Sequence, residues 1–376
     1  MSTSQANEQQ RISKIADAFA DEFLEPIAAD LDRNGKYPKA IIMELAKHDL
    51  LGLAVSTFTG HIQAVQSLSH VCPAVGTILN NHAAASYAIG KWGSTAQKSL
   101  YLSALGKGEV LGALGVYERG TAIGIGQNAL VGSEANGKIT LTGKKSFVRN
   151  AGVADVYVVF ATLPAEAGKT SINAFIVDAK AAGLSVGAAE QTMGLRGCPV
   201  AELTFKNVVL DTSARLGAPK DGVAILSETL AVYAVGEAAQ TVGIGKAAAK
   251  HAAAAAKHRI QFGHPIFSLQ AIQTLLADIA SDTHLAWLGV QNAAQLIEDG
   301  APFTTESAMI KNFLGRFGQR LLTDAIQVEG GMGICEKVPP HFTGTLPLAR
   351  LFRDIAGTTL LELPADFPEA IIAASL

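Results

Sequence analysis

Two stretches carry residue types that invite chemistry. The first is Arg259, which opens Arg-x-x-Phe-Gly-x-Pro (Arg259, Phe262, Gly263, Pro265) directly after the alanine-rich run Gly245 to His258. Alanine is the strongest helix former, so a well-made helix runs straight into that motif. A helix stop accounts for Gly263, which takes the left-handed cap, and for Pro265, which ends propagation. It leaves Arg259 and Phe262 unexplained. The second stretch is TTLLELP, in which Glu362 stands among apolar neighbours that favour a pocket over a solvated loop. A carboxyl in a dry pocket has a raised pKa and can accept a proton near neutral pH.

Other reactive residues point nowhere in particular. Cys72, Cys198 and Cys335 are far apart and odd in number, so neither a zinc site nor a disulfide framework follows, and buried or semi-buried free thiols are expected. Cys198 has no histidine beside it in sequence and is at best a pocket-lining thiol. His251 and His258 share a helix face, but no carboxylate or cysteine completes a metal site with them; they, His82 and His264 read as solvated or capping side chains. His341 falls in a proline-rich loop. GTAIGIGQ and TVGIGKAA hold Gly-x-Gly fragments outside any βαβ unit, and no phosphate-loop motif occurs, so a Rossmann site is not expected.

The elements that must position these residues change character twice along the chain. Up to about residue 109 the pattern is helical: Ile12, Ile15, Ala16, Phe19, Phe23 and Leu24 form one stripe, and Gly93 ends a helix whose successor is capped by Ser94 or Thr95. Between about 110 and 211, VLGALGV, KITLTGKKSFV, ADVYVVFATL, SINAFIVDA and AELTFKNVVL read as strands with no helix between them. That predicts an antiparallel β domain. Helical periodicity returns over 221–258, 268–298 and 304–328. The reading is three domains, 1–109, 110–217 and 218–376: mainly α with a central antiparallel β domain.

Bulk composition narrows the partners. Only 17% of the 376 residues are charged, 49% are hydrophobic, and the net charge is −3 without a basic block. Much surface is therefore buried, in the core or against other copies, and nucleic acid and anionic membranes are not expected partners. No apolar run approaches the roughly twenty residues of a membrane span, and the polar N-terminus has no signal core, which places the protein in the cytoplasm.

The order helices, strands, helices, together with GKKSFVRNAGVADVYVVFA, MGLRGCPVAELTFKNVVLDTSARLG, RIQFGHPIFSLQAIQTLLADIA, DAIQVEGGMGICEKVP and RLFRDIAGTTLLEL, resembles the acyl-CoA dehydrogenase family. The resemblance implies an N-terminal helical domain, a β domain and a C-terminal four-helix bundle that hold FAD, usually in tetramers. It implies that Arg259 reaches across a subunit interface to the pyrophosphate of a neighbour's FAD, a role suited to its planar fork. Phe262 would pack on that cofactor, and Gln327, Gly330 and Gly331 would supply the other wall, where glycines admit the nucleotide closely. Val116, Phe147 and Arg149 fall at the ring end. Counted from Arg353 and Asp354, the family's base falls on Glu362. It would take the α-proton of an acyl-CoA or acyl-carrier thioester while the flavin accepts a hydride and later reduces an electron-transfer flavoprotein. The alternative family position for the base is Tyr233, which cannot serve.

Departures from the family pattern cluster at the ring end. The flavin loop reads YERGTAIG, Tyr117 to Gly124, and keeps only Glu118 and its glycines. Ile123 replaces a cofactor-bonding serine. Arg149 stands where a threonine bonds flavin N5, so it would place a charge beside the ring or turn to solvent. Leu363 and Pro364 follow the glutamate in place of Gly-Thr, and Ala231 and Ala234 replace a pair that holds the CoA arm. Two readings follow: a homotetrameric enzyme with rebuilt flavin contacts, or an altered subunit of a heterotetramer that completes a related partner's FAD site. A structural protein without cofactor is the third.

Overall fold

The computed structural model describes residues 3–120, 129–165, 169–336, 347–360 and 366–376. Glu362, His341 and residues 121–124 of the flavin-loop stretch lie outside them.

Seven helices lead the chain: α1 (Thr3–Phe19), α2 (Ala28–Asn34), α3 (Lys39–Lys47), α4 (Leu53–Ser56), α5 (Phe58–Val71), α6 (Pro73–Trp92) and α7 (Thr95–Gly106). The α1 stripe buries Ile12, Ala16, Phe19 and, through a π-turn at Ala20–Leu24, Leu24. α6 stops at Gly93, and Ser94 then caps α7 in a full capping box with Gln97.

The strands β1 (Gly112–Gly115), β2 (Val131–Ala135), β3 (Lys138–Arg149), β4 (Val156–Pro164), β5 (Thr170–Asp178), β6 (Leu184–Ala189), β7 (Val200–Asp211) and β8 (Arg215–Leu216) form one sheet. Its order is β6-β7-β3-β2-β4-β5-β8, with β1 beside β4. The expected antiparallel pairing holds for β3 with β7 and β4 with β5, but β1 runs parallel to β4. β3 is bulged between Lys145 and Val148, and Phe147 within the bulge has φ +52°. An extra residue turns the following side chains onto a new face.

The second helical part comprises α8 (Gly222–His258), α9 (Gln270–Glu298), α10 (Thr304–Glu329), α11 (Leu348–Leu360) and α12 (Asp366–Ala374). α8 is the axis of the molecule, buried almost without interruption from Thr229 to Gly245 and packed by α5, α6, α9 and α10. It is apolar and long enough to cross a membrane, but 78% of its most apolar stretch is buried inside the protein. Close approach to its neighbours requires glycine. A Cβ on Gly236 would sit 1.8 Å from Asn80 Oδ1 of α6, and one on Gly243 would sit 2.3 Å from the Gln66 carbonyl of α5.

Gly263 does not cap α8. The helix ends at His258 with Arg259 already extended, and β9 (Ile260–Gln261) and β10 (His264–Pro265) form a small hairpin. Phe262 and Gly263 occupy its two-residue turn with φ of +53° and +85°, the type I′ geometry that right-twisted strands prefer. His82 is not solvated either. It is fully buried, and its Nδ1 accepts the Gly112 N–H at 3.0 Å.

Candidate active site

The Arg-x-x-Phe-Gly hairpin lands beside the end of α10. Arg259 Nη1 donates to the Glu329 carbonyl at 3.3 Å. Gly330 ends α10 with φ +65° and ψ −141°, a backbone region essentially confined to glycine. A Cβ there would lie 2.9 Å from Arg259 Nη1, whereas the position over Gly331 is open. Gln327 and Gly331 are exposed, and Phe262 is 85% exposed. The structure thus brings Arg259 against Gly330, with Gln327 and Gly331 exposed on either side of that glycine in sequence and Phe262 exposed at the tip of the hairpin. Among the described residues no carboxylate pairs with Arg259, so most of its fork faces outward. Beneath it the Glu329 side chain is buried, and burial pushes its carboxyl up to about 7.

The strand side is built differently. Glu118 is buried and accepts from Lys145 Nζ at 2.5 Å, from the Leu130 N–H at 3.0 Å and from the Ala129 N–H. Lys145 Nζ also donates to the Val116 carbonyl at 3.1 Å. Burial lowers the Lys145 ammonium to about 8, with Glu118 opposing the shift. The retained motif glutamate therefore ties residues 118 and 129–130 to β3. The half-buried Phe147 ring lies 5.6 Å from that of Tyr117, with the Arg119 guanidinium 4.8 Å from its centroid.

Arg149 does not turn to solvent. It is 1% exposed, and its Nη2 donates to the Gly357 carbonyl of α11 at 2.7 Å and lies 3.9 Å from Glu237 Oε1 of α8. Glu237 Oε2 in turn holds Lys311 Nζ of α10 at 2.5 Å, and Lys311 donates to the Thr358 carbonyl at 2.6 Å. The bulge in β3 and the pull of Glu237 turn the guanidinium into the core rather than toward solvent. Neither Glu237 nor Lys311 stood out in sequence; only Glu237 carried a signal, as a lone charge inside an apolar helical run.

Ala231 and Ala234, with Ser307, Lys311 and Pro368, line a cavity of about 20 Å³, room for little more than one water. Tyr233 is fully buried, and its carbonyl accepts from Asn80 Nδ2 at 3.0 Å. Cys198 is buried, with Sγ 3.7 Å from Asn150 Oδ1. Asp354 ties α11 to the MGLRG stretch by accepting the Leu195 N–H at 2.6 Å, and burial raises its carboxyl to about 6.

The face around Arg259 suits a dinucleotide at its phosphate end: an outward guanidinium stands over glycine backbone that leaves room for close approach. On the strand side Val116 and Phe147 border a common small cavity. FAD would be held by the first group of residues and would supply a hydride acceptor.

Three family models match consecutive parts of the chain: acyl-CoA dehydrogenase, N-terminal domain over 6–109, middle domain over 118–208, and C-terminal domain over 220–376. The chain is 33% identical to an acyl-CoA dehydrogenase of Bacillus subtilis over 97% of both proteins. It is also 33% identical to an acryloyl-CoA reductase (NADH) of Anaerotignum propionicum, over 99% of this chain and 95% of the other. The solved butyryl-CoA dehydrogenase of Megasphaera elsdenii superposes with a TM-score of 0.91 at 29% identity, covering 100% of this chain and 98% of that one. From its N-terminal helices through the bundle that presents Arg259, the chain belongs to the acyl-CoA dehydrogenase family of FAD-dependent oxidoreductases.

Proposed function

We propose that the protein catalyses α,β-dehydrogenation of an acyl-CoA or acyl-carrier thioester, with Glu362 as base. The observation that carries this reading is the placement of Arg259 over the Gly330 turn. Arg259 binds phosphate oxygens of FAD held by a neighbouring subunit, and the Gly330–Gly331 backbone admits the nucleotide. FAD, when bound, accepts the hydride from the β-carbon. A Glu362 carboxylate oxygen takes the proton from the α-carbon, and the apolar residues around it in sequence keep water away. Electrons pass on to an electron-transfer flavoprotein, and the protein works in the cytoplasm as a tetramer. Alanines at 231 and 234 offer no charged contact to a CoA arm, which leaves an acyl carrier as an equal source of the thioester.

The test is the absorbance of the protein purified alone. One oxidised flavin per chain is expected, bleached by butyryl-CoA or a longer acyl-CoA probe. Glu362→Gln should keep the colour and lose the bleaching, and Arg259→Ala should lose colour. Unchanged bleaching in the glutamine variant removes Glu362 from the reaction.

A second reading is favoured by the altered flavin-loop stretch, Tyr117 to Gly124, which keeps only Glu118 and the neighbouring glycines of the family motif. Here the chain is the altered half of a heterotetramer and lends Arg259 to a related partner's FAD. Protein that is colourless alone and yellow only when co-purified with a related subunit would establish this reading over the first.

A further inference from the structure

Leu230 of α8 is 1% exposed and borders two small cavities. On one side is the cavity at Val116 and Phe147. On the other is the seam between α8 and α10, walled by small side chains that include Ala231, Ala234, Ser307 and Ala308. Pro368 and Ile371 of α12 supply its third wall. With them in place the seam has a volume of about 20 Å³, room for little more than one water. Lys311 also lines it, but its ammonium is taken up by Glu237 and the Thr358 carbonyl. The outer side of α12 faces solvent, with Glu369, Ala370 and residues 373–376 exposed. From solvent inward the order is therefore α12, the seam, Leu230 and the cavity at Val116 and Phe147. α12 is short, nine residues, and the Glu369–Arg316 ion pair that holds it from outside has both partners exposed, at 47% and 75%. Such a pair contributes little, and a short, half-exposed element opens at the low end of a protein's stability range.

We propose that α12 is an autoinhibitory cover: Pro368 and Ile371 occupy the seam between α8 and α10 along which the arm carrying the thioester reaches Leu230 and the cavity beyond, so substrate binds when α12 lifts. The inference rests on the thioester reading of the site. CoA and an acyl carrier present their thioester on the same slender pantetheine chain, and a narrow seam with small walls suits such a chain from either source. A covered protein takes up substrate in proportion to its open fraction. One open molecule in ten to one in a hundred weakens the apparent affinity about 10- to 100-fold.

The test uses the full-length, flavin-loaded protein. Ile371→Ser removes half of the apolar plug, and Glu369→Lys turns the outer ion pair into a repulsion at an exposed position. Flavin bleaching is followed against butyryl-CoA and, in parallel, against a butyryl-loaded acyl carrier protein. KM should fall about 10-fold in Ile371→Ser with kcat little altered, and should fall less in Glu369→Lys. A fall with either thioester supports the cover and names the source of the arm. Amide exchange over residues 368–374 should be faster in Ile371→Ser without ligand, with exchange in α8 and α10 unchanged. In the wild type it should become faster when saturating butyryl-CoA is added without an electron acceptor. Unchanged KM in both variants, or wild-type α12 exchange that substrate leaves unaltered or slows, overturns the proposal while the thioester reading stands. Flavin that stays bound yet is bleached by neither thioester in any of the three proteins overturns the thioester reading, and the cover with it.

Discussion

Lys145 Nζ and Glu118 Oε1 lie 2.5 Å apart with both side chains almost fully buried, 0% and 2% exposed. The pair joins β3 to both ends of the segment between residues 118 and 130, because Glu118 also accepts two backbone N–H groups beyond that segment. The arrangement makes the glutamate a local tie between residue 118, residues 129–130 and β3 even though the rest of its motif is altered in sequence.

Removing one partner of a buried pair leaves the other charge uncompensated, which typically costs about 3–5 kcal/mol. Lys145→Met should therefore lower the unfolding free energy by about that amount. Glu118→Gln should cost less, since the amide oxygen still accepts the Leu130 N–H. Urea unfolding of the three proteins measures both effects. Exchange at the Ala129 and Leu130 amides should accelerate in each variant, and equal stability of all three would show that the pair is not what holds this segment.

What could be read beforehand was whatever local periodicity encodes. The alanine-rich run and the three-to-four spacing of apolar residues gave 221–258, 268–298 and 304–328 as helices, close to the observed α8, α9 and α10. β2 and β6 escaped because their side chains are mostly exposed, so VGSEA and LSVGAA show no apolar alternation. Gly263 was recognised as a positive-φ position, but that property serves a helix cap and a hairpin turn equally, and only the pairing of Gln261 with His264 selects the turn. The two stretches that meet at Arg259 and Gly330 were legible because each is a compact motif in sequence. The Arg149 cluster was not, since Glu237 and Lys311 meet it only through the packing of α8 and α10 against β3, and nothing in a one-dimensional string pairs charges so far apart.

Buried histidines give the protein a defined acid sensitivity. His61 and His82 are both fully buried, and burial lowers each to about 4. Asn80 Nδ2 donates to the Tyr233 carbonyl, so its Oδ1 is free to accept from His61 Nε2 at 3.3 Å. His82 Nδ1 accepts the Gly112 N–H, so protonation there would break a strand contact. With folded values below the ordinary 6.5, their contribution is fully present above that pH and is lost as pH falls through about 4. The slope reaches about 1.4 kcal/mol per pH unit for each proton taken up. Asp354, raised to about 6, works in the opposite sense: its contribution is present below its ordinary value and lost as pH rises through about 6. Comparing wild type with a His61→Gln, His82→Gln double variant isolates the histidine part. The difference in unfolding free energy between pH 7 and pH 4 should shrink in the variant, and identical pH curves would contradict the assignment.

Gly330 offers the sharpest separation of backbone from side-chain effects at the turn beneath Arg259. Its φ of +65° with ψ of −141° is strained for any residue with a Cβ, and the added atom would meet Arg259 Nη1 at 2.9 Å. Gly330→Ala should therefore cost about 1–3 kcal/mol of stability from backbone strain and also push the guanidinium off the Glu329 carbonyl. Gly331→Ala, a few ångströms along the same turn but with nothing within 4 Å of its Cβ, should do neither in the isolated chain. If the turn serves as the wall against which a nucleotide lies, both alanines should weaken flavin retention, Gly330→Ala through the displaced arginine and Gly331→Ala by filling the open side. Flavin-to-protein ratios after gel filtration, set beside thermal unfolding of the same samples, separate the two. Full flavin retention in Gly331→Ala would mean that the nucleotide does not approach this turn, and Arg259 would then need another explanation.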